Sequence, residues 1–529
     1  MKIHRARFGI ERKGTKMRAG EIGTVTLGDR LALSDVVAVA RCGAHVEFSP
    51  EYKERVSACR RLVERFSDEE RVVYGVTTGL GDNVNHYVSR EERARFQRDT
   101  ILSHAVSVGE PLEKECVRAM MLVLLQHLGT GHTGIRLETV EVLRRMLNAD
   151  IVPHVPGHGS VGYLGLEGHI ALVLIGEGSA WYRGKRLRGG DALVQAGIQP
   201  IDIGAKEGLS LVSGTTSVTA LSALAAYDAS ILALTSDVIG AMSLEGLKGN
   251  LGAMHEMLMG TRPHPNQGAA AANVRKVLEG SGIQKKYAGY RVQDALSLRC
   301  IPQLHGAVRK LIGDSVETLE IELNSTVDNP QIFETEDGAG TALMGCNCDG
   351  AYAGTAADVL CIAMGNLAKM SERRLDRLVN QHVSELPAFL TPTPGISNGY
   401  MIPQYTAAGL LGEIRLKAHP ATVDSVPTCA LQEDYVSMGY NAAIKAYESV
   451  GLARYILAIE LMNACQAQDF YDDPNPSPAT KAVRDLVREK VPFLTKDRAM
   501  HEDMEYIAAL IRDGTILDRA EAFAGPLRF

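Results

Sequence analysis

Tyr74 ends a short apolar run, Arg71-Val-Val-Tyr74, and directly precedes the glycine-punctuated Gly75-Val-Thr-Thr-Gly-Leu-Gly81. A phenol becomes a proton acceptor when a positive or electrophilic neighbour lowers its pKa; on a rim it is an ordinary amphipathic residue. Arg299, in Gln293-Asp-Ala-Leu-Ser-Leu-Arg-Cys300, sits near a helix start. Its planar fork grips a carboxylate through two hydrogen bonds, which an amino-acid substrate requires. Glu433 lies in the polar stretch 419–439 and offers an acceptor suited to a ring N–H or a cation. An acid at a helix start is otherwise simply solvated. His104, in Ser103-His104, closes a helical segment and is of the residue type that titrates nearest neutral pH.

The chain is organised around Val155 to Leu172. Five glycines fall between Gly157 and Gly168, and an apolar run, His169 to Ile175, follows at once. Glycine tolerates positive φ and close backbone approach, so this density marks a tight buried bend leading into a core helix, or a glycine loop between two elements. Neither a phosphate-binding loop nor a dinucleotide fingerprint fits the spacing.

The elements that must hold these residues are mostly helical. Helices are expected at 34–40 and 49–66, the latter with Ser49-Pro50 as cap and first turn, and through 89–147 with breaks near 109–111 and 129–131. Long helical patterns follow at 214–251, 304–322, 352–380, 404–417 and 440–466, with two or three more after residue 478. A hairpin is expected over 181–190 with Gly184-Lys185 at its turn. The fold class is therefore mainly α, a central bundle of long helices whose loops carry the chemistry, with three segments: 1–210, 211–475 and 476–529.

Hydrophobic content of 45% supports a large core over 529 residues. A net charge of −7 without a basic block, and one Trp, disfavour nucleic acid or an anionic membrane as partner. No apolar run reaches the roughly 18 residues of a membrane span, and the basic Met1–Arg7 segment lacks the apolar stretch of a signal peptide. Nine scattered cysteines read as reduced thiols in a cytoplasmic protein, and Cys346-Asn-Cys348 alone does not make a metal site.

Pro153-His-Val-Pro-Gly-His-Gly-Ser-Val-Gly162 resembles the segment preceding the prosthetic group of aromatic amino-acid ammonia-lyases and aminomutases. There an Ala-Ser-Gly tripeptide cyclises into methylidene-imidazolone (MIO), an electrophile. Here Gly162 runs into Tyr163, and the similarity resumes in register from Tyr163 to Gly178. The resemblance implies MIO between Gly162 and Tyr163, the matured tripeptide being a single non-standard residue that a string of standard letters omits. The rival is a true deletion and an enzyme without the electrophile.

The resemblance extends from about residue 24 to 520 and is closest in motifs to histidine ammonia-lyase. It implies Tyr74 as the base that takes the β-proton, and Arg299 and Asn324 as holders of the substrate carboxylate, with Gln293 and Gln303 nearby. It implies Ser103-His104 and Glu433 as marks of a polar, imidazole-bearing substrate. Several positions depart from the family: Leu80, Leu296 and Cys348 replace aromatics, Tyr435 replaces a His, and Ser213 replaces the Asn that bonds the MIO carbonyl. The resemblance implies ammonia elimination from histidine in a homotetramer whose sites draw on three subunits. Tyrosine-type lyase or 2,3-aminomutase chemistry is the alternative. A relative without MIO, a betaine eliminase or a silent scaffold, is a third reading.

Overall fold

The structure is a computed structural model and describes residues 19–471, 473 and 475–529. The basic N-terminal segment lies outside these residues. The described residues form two compact units: those up to 227, with 316–358 and 420–444, make the first, and those of 228–315, 359–419 and 445–529 the second. The units are discontinuous because four long helices, Thr216–Gly246, Ile301–Glu322, Ala351–Val379 and Gly439–Gln468, each have one end in either unit.

In the first unit, Thr24–Leu27 pairs in parallel with His45–Phe48, and the helix Leu33–Ala40 connects them. The helix Lys114–Leu128 is buried from Glu115 onward, which its apolar sequence demands. Ser49 caps the helix Pro50–Asp68 by accepting the Tyr52 N–H at 3.1 Å, as Ser-Pro at a helix start predicts. The hairpin forms between Ser179–Tyr182 and Lys185–Arg188. Its turn is Arg183-Gly184, both at positive φ, one residue earlier than expected. Arg71–Tyr74 forms no strand. The Val73 carbonyl accepts from Val76 and Thr77 N–H, and Thr77 Oγ1 accepts the Val73 N–H at 2.9 Å and donates to the Arg71 carbonyl at 2.7 Å. The run's polar backbone is satisfied within a turn, so it needs no partner strand.

The regular elements of the second unit's described residues are helices, including Pro265–Val277, Met401–Lys417, Pro478–Arg488, His501–Arg512 and Thr515–Ala524, joined by loops. Fully buried Glu460 accepts from Ser243, Ser371 and Arg374 and so fixes three helices in register. The stretches 207–246 and 351–379 are, after all, long and apolar enough to cross a membrane; small Ala and Ser residues hide this from a count of large apolar ones. The most apolar windows are 89% and 61% buried within the protein.

His127 supplies a pH test of the first unit. Its Nδ1 lies 3.2 Å from Thr216 Oγ1 and its Nε2 3.0 Å from the Glu322 carbonyl. Burial pushes its pKa down to about 4. Above pH 6.5 the ring is neutral folded and unfolded; below it only the unfolded chain takes the proton, so stability falls as pH drops toward 4. The loss should reach about 3 kcal/mol. Urea midpoints recorded from pH 7 to 4 should show it, and His127→Gln should flatten the profile over that range.

Candidate active site

Tyr74 is positioned by its neighbours. Val73 and Val76 enter a buried cluster with Cys59, Val63, Phe66 and Ile332, which anchors the turn and leaves Tyr74 half-buried at its edge. Gly81 N–H donates to the phenol oxygen at 2.7 Å. That contact uses the left-handed Gly81, where a Cβ would meet Cys429 Sγ. Burial raises the Tyr74 pKa above the usual phenol value; the Gly81 N–H opposes this, while Cys429, Glu433 and Cys348 add to it.

Gln97, which sequence reasoning missed, ties this loop down. Its Nε2 donates to the Gly75 carbonyl at 2.8 Å and its Oε1 accepts the Gly208 N–H at 2.9 Å. It therefore clamps the Tyr74 loop to the helix Glu207–Val212, which ends at Ser213. A glutamine buried to 1% exposure with both ends bonded to backbone is the signal, and no sequence pattern distinguishes it from a surface glutamine. Gln97→Leu leaves two buried backbone groups unpaired and should lower stability by roughly 2–5 kcal/mol, measured by urea denaturation.

His104 ends the helix Arg93–His104. Its Nδ1 lies 2.7 Å from the Thr100 carbonyl, which can only accept, so the proton sits on Nδ1 and Nε2 keeps its lone pair. Burial lowers its pKa, leaving the ring neutral near pH 7. Ser103 Oγ is 3.2 Å from the same nitrogen and 3.1 Å from the Thr100 carbonyl.

Glu433 is held by a bridge in which Thr428 N–H donates to the Glu433 carbonyl at 2.8 Å and Thr428 Oγ1 to its carboxylate at 2.7 Å. Between them Cys429, Ala430 and Leu431 all adopt left-handed φ, a costly run for residues with side chains. Burial, and then the neighbouring Glu433 carboxylate, hold the Tyr163 phenol's pKa far above the usual range. The Glu433 charge also acts on His104 and Tyr74. Buried Cys348 lies with its sulfur 3.9 Å from that of Cys346, and burial, then Cys346, pushes its thiol well up.

The structure thus gathers Tyr74, His104, Tyr163, Cys348 and Glu433 in the first unit. Gln293 and Arg299 belong to the second. Gln293 is exposed, while the Arg299 Nε and Gln303 Oε1 are buried atoms with no bonded partner. Asn324 requires a correction. Its Oδ1 accepts from Leu31 N–H at 2.7 Å and Gln126 Nε2 at 3.0 Å, and its Nδ2 donates to the Leu31 and Glu320 carbonyls at 2.9 and 2.7 Å. Every hydrogen-bonding position of that amide is consumed, so it braces the chain near Leu31 and has nothing left for a carboxylate. Five residues on, Asn329 uses its Oδ1 to accept the Gly345 N–H at 2.9 Å. Among the described residues no group of three or more His, Cys, Asp or Glu is placed to hold a metal.

At the central bend Gly162 is bonded directly to Tyr163, and Gly159, Gly162, Leu164 and Gly165 all have positive φ. A Cβ on Gly162 would lie 2.4 Å from Ser437 Oγ and 2.9 Å from Gly439 N. The helix Leu166–Leu174 follows, and its Glu167, fully buried, accepts the Ser217 N–H at 2.7 Å through Oε1. That N–H belongs to the first turn of the helix beginning at Thr216, where an oxyanion would otherwise find a donor. Glu167 Oε2, Ser107 Oγ and Ser217 Oγ are buried without partners.

The family described as "Aromatic amino acid lyase" matches residues 31–489, and the chain belongs to this family of carbon–nitrogen lyases. Among its relatives, a histidine ammonia-lyase of Symbiobacterium thermophilum is 44% identical over 506 residues, 95% of this chain and 99% of that one. Among solved structures, histidine ammonia-lyase from Trypanosoma cruzi is 36% identical with a TM-score of 0.88, over 94% of this chain and 95% of that one. Tyrosine aminomutase from Streptomyces globisporus is 33% identical with a TM-score of 0.89, over 96% and 100%. An ergothioneine-degrading enzyme from Treponema denticola, in complex with desmethyl-ergothioneine sulfonic acid, is 30% identical with a TM-score of 0.86, over 93% and 100%.

Membership of this family is consistent with an MIO electrophile. The residues at the bend do not fit one. The chain has no Ala-Ser-Gly there, the approach to Gly162 is filled by Ser437 and Gly439, and the Ser217 N–H is taken by Glu167.

Proposed function

We propose that the chain opens the Cα–N bond of a histidine-type substrate and removes a β-proton, leaving urocanate. The observation that carries this reading is the Glu433 carboxylate held by Thr428 Oγ1 at 2.7 Å, whose charge acts on the Tyr74 and Tyr163 phenols and on His104. The names of the relatives that are 41–44% identical support the same substrate skeleton. Glu433 accepts the imidazole N–H, and His104 Nε2 offers a second acceptor within the same pocket. Tyr74 takes the β-proton; the Gly81 N–H stabilises the oxygen on which negative charge forms. Arg299 receives the substrate carboxylate, its unpartnered Nε supporting that role. Asn329 replaces Asn324 as the amide on this segment for such a task, since its Nδ2 is not engaged as that of Asn324 is.

The test is urocanate formation, followed by its ultraviolet absorbance, against coumarate formation from tyrosine. Tyrosine turnover without urocanate would favour the tyrosine-type lyase or aminomutase reading. Glu433→Gln keeps the shape but loses the charge. It should raise KM for the imidazole substrate by roughly tenfold to a hundredfold, since a hydrogen bond to a charged group contributes about 1.5–3 kcal/mol.

A cytoplasmic homotetramer completes the reading. No disulfide joins any of the nine cysteines, and exposed Tyr352, Ile402, Tyr405 and Leu416 on two long helices suit burial against further copies. Light scattering on the purified protein measures the assembly.

A further inference from the structure

The bend and the phenol-rich pocket lead to a substrate class. We propose that this chain eliminates without an internal electrophile, and that its substrate carries the α-nitrogen already quaternised, as an Nα,Nα,Nα-trimethyl betaine of an imidazole amino acid. The proposal rests on the imidazole reading above and specifies its leaving group.

Chemistry forces the link between the bend and the substrate. A primary amine must be captured by an electrophile because it is otherwise a poor leaving group. A trimethylammonium group needs no such help, since it departs as a neutral tertiary amine. It also has no lone pair to add to an electrophile, so MIO would serve it nothing. This chain lacks Ala-Ser-Gly, packs Ser437 against Gly162 and engages the Ser217 N–H with its own Glu167, so the bend offers a captured amine neither the electrophile nor a free donor beside it.

The pocket's chemistry agrees. The titratable groups acting on Tyr74 are Cys429, Glu433 and Cys348, and those acting on Tyr163 are Glu433, Cys348 and Cys346. These largest influences are thiols and a carboxylate. Phenol ring faces and soft sulfur suit a diffuse cation that has no N–H to donate, and the Glu433 charge adds attraction. A resident cation beside Tyr74 also offsets the burial that disfavours its phenolate, so the substrate helps to generate its own base.

The step balances without an oxidant. The Tyr74 phenolate takes the β-proton, the Cβ–H pair becomes the Cα–Cβ π bond, and the Cα–N pair leaves with trimethylamine. The products are urocanate, trimethylamine and neutral Tyr74, which returns its proton to the departing amine or to water.

The full-length protein is incubated separately with L-histidine and with its Nα-trimethyl betaine. Urocanate is read by absorbance, and ammonia and trimethylamine by chromatography. The expected result is urocanate with equimolar trimethylamine from the betaine, at a kcat/KM more than about a hundredfold above that for histidine, and no loss of rate after borohydride treatment. Histidine turnover equal to or faster than that of the betaine, or inactivation by borohydride or cyanide, overturns the proposal while leaving the imidazole reading intact. Turnover of neither overturns it too. In that case urocanate itself decides the underlying reading: a raised Tm in its presence keeps the imidazole pocket, and no shift removes it.

Discussion

Replacing Tyr74 by Phe is expected to cut kcat by roughly a hundredfold to ten-thousandfold while leaving urocanate affinity within about threefold. The variant removes one oxygen and nothing that packs. Val73 and Val76 still fill the cluster beside Phe66, and Thr77 still closes the turn. Only the Gly81 N–H loses its acceptor, and it lies in a glycine loop that water reaches. The pH profile separates this role from a structural one. Burial raises the Tyr74 pKa above 10, so the productive phenolate is scarce at neutral pH and kcat/KM should climb with pH as far as the fold survives. The Phe variant's residual rate should lose that slope. An unchanged slope would move the base elsewhere, and Glu167 would then be the group to examine: its unpartnered Oε2 is buried beside the bend and burial raises its pKa.

The long helices were legible because their apolar positions repeat every three or four residues across several turns, a signal that tertiary context reinforces. The candidate site was less legible, because residue type alone leaves a rim phenol or a solvated acid as open a reading for Tyr74 and Glu433 as a chemical role. Asn324 is no plainer. Two amides sit five positions apart in Asn324-Ser-Thr-Val-Asp-Asn329, and which one is consumed depends on Leu31 and Gln126, distant in sequence. Gln97 was invisible for the same reason: both its partners are backbone atoms that no motif names. The bend is ambiguous in another way: intact register on either side of Gly162–Tyr163 reads as a hidden prosthetic group, while only the structure shows Ser437 and Gly439 packed against Gly162. Ser213 is the departure visible in the sequence, whereas the bond from Ser217 N–H to Glu167 emerges only in the structure.

Lys206→Met should cost about 3–5 kcal/mol of stability and lower Tm by roughly 10 °C, the largest single effect expected outside the chemistry itself. The Lys206 and Asp328 side chains are 0% and 3% exposed and form an ion pair that Ser210 Oγ joins, 3.0 Å from both the Lys206 Nζ and Asp328 Oδ2. Lys206 accepts a left-handed φ of 66° to make this contact. Removing the ammonium strands a carboxylate that has no route to water, and that penalty, not the worth of the pair, sets the magnitude. The consequence should reach the site. Asp328 precedes Asn329, which fixes the Gly345 N–H ahead of Cys346 and Cys348. Lys206 immediately precedes the helix that ends at Ser213, and Gln97 binds that helix to the Tyr74 loop. One ion pair therefore tethers both segments, and kcat should fall together with Tm. The double change Lys206→Met with Asp328→Leu removes both charges and should recover most of the stability, because a buried pair exchanged for apolar side chains is close to neutral. If the double variant melts as early as the single one, the stranded carboxylate is not the cause, and the shape of the Lys206 stem packed over Gly134 is what the helix start requires.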